Sequence, residues 1–99
     1  MEWKRQQPEK EDGDYWFAGQ CLVTRGVNTE IPPAEIQAIV QDVQTLAAQP
    51  GGIDYLQCYQ HSKTKRKIWV IDQVTKTALA KGHHPLEHNY FTVLFPEEY

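Results

Sequence analysis

The sequence predicts an α+β domain: a four-stranded, mostly antiparallel sheet with one main helix packed on one face. Three observations predict it. One stretch, Pro33 to about Gln49, carries an apolar stripe at helical period. Four shorter stretches have strand length and are rich in β-branched, aromatic and other apolar residues. The short polar link between two of them suits an antiparallel hairpin. The order reads β-α-β-β-short α-β, and only such a sheet offers the lone helix a surface large enough to bury its stripe.

The first fourteen residues, MEWKRQQPEKEDGD, are charged and aperiodic, so positions 1–14 are expected to form a mobile tail ahead of a single domain over 15–99. Trp3 is the one large apolar side chain in that tail. Trp16 to Arg25 is the first strand candidate, with Phe17, Cys21 and Val23 on one face and Trp16, Ala18 and Leu22 on the other. Gly26 ends it in a turn. In the helix, Ile36, Ile39, Val40, Val43, Leu46 and Ala47 form the stripe. Pro33 suits its first position, Glu35 meets the positive end of its dipole, and Pro50-Gly51-Gly52 stops it. Asp54–Gln60 and Lys67–Val74 are the hairpin strands around Ser62–Arg66. Thr75–Lys81 makes a short helix closed by Gly82, and Tyr90–Phe95 is the last strand.

Composition narrows the function classes. At 99 residues, 40% apolar and 23% charged, the chain has one core; a chain of this size buries roughly 65% of its unfolded surface. No apolar run approaches the ~20 residues that cross a bilayer, and no apolar segment follows the basic residues of the amino terminus. No membrane partner is expected, and the location read is cytoplasmic. Cys21 and Cys58 are too few for a disulfide scaffold and read as small, reduced core residues. A net charge of −3 speaks against a general nucleic-acid binder.

Candidate chemistry is sparse. His83, His84 and His88 follow no metal-ligand spacing, so the reading is a solvated loop with no metal and no cofactor. Lys63, Lys65, Arg66 and Lys67 near Trp69 could grip phosphates, although lysine-rich hairpin tips also serve solubility. Asp72, in an apolar strand, is the one carboxylate an enzyme could use, yet no base or nucleophile accompanies it in the sequence. Tyr99 is expected to fold back onto the sheet edge.

With a single helix, one sheet face stays open, and Trp16, Tyr55, Tyr59, Trp69 and Tyr90 are expected there, beside Arg25 and Asn28 of the turn. The leading reading is a non-enzymatic interaction module whose partner is another protein or its own copy, as a homodimer. The rivals are a nucleic-acid-binding or anti-host-defence protein using residues 63–67, and a small enzyme with a site near Asp72.

Gly19-Gln20 with Thr24–Val27, KIWVID (Lys67–Asp72) and FTVLFPEEY (Phe91–Tyr99) resemble small bacterial proteins carried on plasmids, phages and integrative elements. TRGVNTEIP (Thr24–Pro32) and DYLQ (Asp54–Gln57) are similar to the domain-of-unknown-function family 960 of Gram-positive bacteria. The resemblance covers about Gly19 to Tyr99 and implies a bacterial, cytoplasmic protein associated with mobile elements. It brings no activity and no catalytic residues. The segment Thr75–Asn89, with its histidines, departs from the shortest relatives.

Overall fold

A computed structural model describes residues 1–48, 51–82 and 88–99. The chain is α+β, with a mixed, open, five-stranded sheet in place of the expected four strands. In chain order the elements are β1 (Trp3–Arg5), β2 (Gln20–Val23), α1 (Arg25–Glu30), α2 (Pro33–Ala47), β3 (Leu56–His61), β4 (Lys67–Asp72), α3 (Lys76–Lys81) and β5 (Tyr90–Leu94), followed by a 3₁₀ turn at Pro96–Glu98. The strand order is β1-β3-β4-β5-β2. The ladders β1–β3, β3–β4 and β4–β5 are antiparallel, whereas β2 runs parallel to β5.

The fifth strand comes from the supposed tail. Trp3 is 2% exposed, its indole N–H donates to Glu35 Oε1 at 2.8 Å, and its ring meets His61 edge-on at 5.0 Å. The buried indole, its hydrogen bond to Glu35 and the antiparallel ladder to β3 together offset the entropy cost of ordering residues 3–5. The tail reading of 1–14 is therefore corrected for residues 3–5. Tyr15 is tied down as well, by a bridge to Ile53.

α2 lies across one sheet face. Ile36, Ile39, Val43 and Ala47 are buried, with Val40 and Leu46 packed at the margin, as the stripe requires. Against them the sheet presents Tyr59, Ile68, Val70, Phe91 and Val93. Each fully buried branched side chain contributes about 1.5–3 kcal/mol. Polar links pin the helix: Tyr59 Oη donates to Asp42 Oδ2 at 2.6 Å, and Gln44 Nε2 donates to the Phe17 carbonyl at 3.1 Å.

The first expected strand is shorter than Trp16–Arg25. It begins only at Gln20, because Phe17 adopts φ 53, outside any strand geometry. The expected turn at Gly26 is instead the second residue of α1, capped by Thr24 Oγ1. A β-carbon at Gly26 would stand 2.6 Å from the Glu98 carboxylate, so any other residue there would push that side chain from its place against α1. α3 behaves as expected: Thr75 caps its start, and Gly82 ends it at φ 67.

Candidate functional site

The ladder registers sort the side chains of the sheet onto two faces. Opposite α2, one row runs Leu56, Ile71, Thr92, Leu22 and the next runs Cys58, Trp69, Leu94. Lys4, Gln60 and Lys67 form the row beyond, and Tyr90 pairs with Gln20 at the other end. No described helix packs on this face. The C-terminal segment reaches part of it: the Tyr99 ring meets Trp69 edge-on at 5.8 Å, so Tyr99 folds back over the interior strand β4 and not, as expected, onto the sheet edge. Ile71 and Leu94 are buried on this face, at the floor of a hollow that Tyr90 and Tyr99 border.

The centre of the face is apolar and uncharged, and Leu22 (43%), Tyr90 (36%) and Tyr99 (79%) remain open to water. Between Tyr90 and Tyr99 lies a hollow of about 220 Å³, floored by Ile71, Thr92 and Leu94 and rimmed by Thr24, Gln73 and Glu98. Glu98 holds this rim in place. Its carboxylate accepts from Thr24 Oγ1 (2.7 Å), Phe95 N–H (2.9 Å) and Gly26 N–H (3.2 Å), and the Thr24 hydroxyl leads in holding its pKa below the usual value.

The seven expected surface residues do not form one patch. Trp69 and Tyr90 lie on the open face. Tyr59 is fully buried beneath α2, which corrects its placement; burial first, and Asp42 second, raise its pKa. Tyr55 is exposed but packs at 6.2 Å from Tyr15, at the end of the sheet. Trp16 borders a separate hollow of about 460 Å³ with Phe17, Ala18, Gln44, Ala47, Ala48 and Gly51. Arg25 and Asn28 are exposed on α1. Arg25 lines a shallow hollow with Glu98, which thereby borders both it and the open face. The sequence reading did not place Leu22, Leu56, Thr92 and Leu94 on the open face. Strand alternation separates two sets of residues, but it does not say which set the helix takes.

The alternatives find less support. Asp72 is 2% exposed, and both its oxygens are engaged: Oδ2 accepts from Phe17 N–H at 2.9 Å and Oδ1 from Val74 N–H at 3.3 Å. Burial pushes its pKa up, and the backbone N–H donors pull against that. This carboxylate holds the left-handed Phe17 against the end of β4, and each of its oxygens is engaged by a backbone N–H. In the basic hairpin, Arg66 pairs with Glu97 (2.7 Å) and Glu30 (3.2 Å) and lies 3.9 Å over the Phe95 ring. Lys63, Lys65 and Lys67 are exposed and make no ion pair among the described residues.

Cys21 is exposed at the sheet edge and Cys58 is half-buried on the open face; both are free thiols, which corrects the expectation of two core cysteines. His88 is exposed, and His83 and His84 lie outside the described residues. Among the described residues no group of histidine, cysteine and carboxylate side chains could hold a metal ion, and no helix is long and apolar enough to cross a membrane. Comparison of this chain with protein-family models, with curated proteins and with solved structures finds no match.

Proposed function

We propose that this chain is a non-enzymatic interaction module whose open sheet face receives an amphipathic helix of another protein. The observation that carries the reading is the charge layout of that face. Its centre (Leu56, Cys58, Trp69, Thr92, Leu22) is uncharged, while Lys4, Lys67 and Glu98 stand at the margin. An apolar centre with a polar rim is the usual build of a protein contact. The face spans the same strands that the chain's own α2, fifteen residues long, covers from the other side. A partner helix of similar length would complete a three-layer arrangement. The hollow between Tyr90 and Tyr99 would take one large apolar side chain of that helix. The resemblance in the TRGV, KIWVID and LFPEEY stretches supports the setting: a cytoplasmic accessory protein of bacteria or their mobile elements.

The test is site-specific photo-crosslinking in the bacterium that makes the protein. A photoreactive residue at Thr92 or Leu56 is expected to give one adduct of fixed mass with another protein. The same residue at Gln37, on the outer side of α2, is expected to give none, and Tyr99→Ala is expected to weaken the Thr92 adduct. No adduct from the face, or the same adducts from Gln37, overturns the reading.

A further inference from the structure

The two edges of the sheet are built differently. β1 is three residues long, and two of them, Lys4 and Arg5, are charged, which discourages another strand from pairing there. β2, Gln20-Cys21-Leu22-Val23, carries no charge, no proline and no bulge. Gln20 N–H donates to Asn89 O and Thr24 N–H to Val93 O, each at 3.0 Å, so the even-numbered residues turn towards β5. In a parallel ladder the alternate residues turn their N–H and C=O the other way. Cys21 and Val23 therefore direct theirs outward, where no described residue receives them.

We propose that β2 pairs antiparallel with β2 of a second copy of this chain, about a two-fold axis at Leu22. This register satisfies the outward groups and stays within the strand. It sets Cys21 opposite Val23 of the other copy, so each outward N–H meets an outward C=O and four bonds form across the axis. It also matches side chains: Leu22 meets its own counterpart, Cys21 meets Val23, and Gln20 meets Thr24. Centring the axis on Cys21 instead would pair Val23 with Gly19, which lies outside the strand. Self-matching of the side chains favours a second copy, and charge does not oppose it locally, because β2 carries none. A ladder this short buries little area, so the dimer is weak and concentration-dependent. The pairing uses the edge of the sheet, and it stands or falls separately from docking on the open face.

The test is thiol crosslinking of the full chain with both native cysteines removed (Cys21→Ser, Cys58→Ser). Leu22 is 43% exposed, so Leu22→Cys is accommodated in the folded monomer. A non-hydrogen-bonded antiparallel pair brings α-carbons to about 4.5 Å, within disulfide range. Under oxidised glutathione, Leu22→Cys is expected to give mostly covalent dimer. Gln20→Cys, about 14 Å from its counterpart in this register, is expected to stay at least ten-fold lower. Placing proline instead of serine at Cys21 (Cys21→Pro) deletes an outward N–H at an exposed position and is expected to cut the Leu22→Cys dimer several-fold without changing the circular dichroism. Sedimentation of the unmodified chain is expected to show reversible association that Leu22→Lys abolishes. Equal crosslinking from positions 20 and 22, or a strict monomer at millimolar concentration, overturns the proposal. So does saturable addition of an unrelated extended peptide to β2 while the chain itself stays monomeric.

Discussion

Replacing Asp72 by alanine is the most informative single change. Its carboxylate is buried and accepts two backbone N–H groups, from Phe17 at 2.9 Å and Val74 at 3.3 Å. Truncation leaves both donors without a partner, at about 1–3 kcal/mol each. Part of that loss is recovered because a buried charge no longer needs to be desolvated. The left-handed backbone at Phe17 also relaxes by about 1 kcal/mol once released. The net expectation is a loss of about 2–4 kcal/mol, a large share of the ~5–15 kcal/mol typical of a domain. Asp72→Asn keeps one acceptor oxygen and is expected to lose about half as much. Urea unfolding at pH 7 measures the loss as a fall in midpoint at constant slope. Hydrogen exchange at the Phe17 amide should accelerate beyond the global change. A change within 0.5 kcal/mol, or an unaltered Phe17 amide, refutes the reasoning. The pH dependence follows from the raised pKa. Between the ordinary carboxylate value and the raised one, the folded chain keeps a proton that the unfolded chain has released. Stability therefore falls as pH rises through that window, and the parent's advantage over Asp72→Asn narrows there.

Other outcomes follow from the same contacts. Trp3→Ala empties a site that is 2% exposed and is expected to cost about 3–5 kcal/mol in urea unfolding; a neutral result would restore the mobile tail. Tyr59→Phe removes the hydroxyl donated to Asp42 and is expected to cost about 1.5–3 kcal/mol, read as a lower melting temperature. Lys63, Lys65 and Lys67 are expected to give no binding to single- or double-stranded nucleic acid at low salt. A mobility shift that weakens when all three are changed to glutamine would favour the rival reading.

The parts of the fold legible in the sequence are those that carry a local period. The stripe from Ile36 to Ala47 could bury itself only as a helix, and Thr75 with Gly82 bracket α3 by capping chemistry alone. The β3–β4 hairpin was legible for the same reason. β1 was not, because Trp-Lys-Arg has no alternation, and what orders it is Trp3 meeting Glu35, thirty-two positions away. The parallel pairing of β2 with β5 likewise rests on a partner distant in sequence. α1 is hidden by a sequence of low helical propensity, Arg-Gly-Val-Asn-Thr-Glu, stabilised by the Thr24 cap and by Glu98 from the C-terminal turn. At the candidate site the aromatic content was visible but its sorting was not. Tyr59 and Trp69 look alike as strand aromatics, yet one lies under α2 and the other on the open face.

Solvent contact at the two faces is the most direct measure of the central claim, that α2 covers one side of the sheet and leaves the other free for a partner. In a dilute sample with a soluble paramagnetic agent, the methyl groups of Leu56 and Thr92 are expected to relax several-fold faster than those of Ile39, Val43 and Val93. Equal protection of the two sets would mean the open face is already closed by the chain itself, and the interaction module would lose its docking surface.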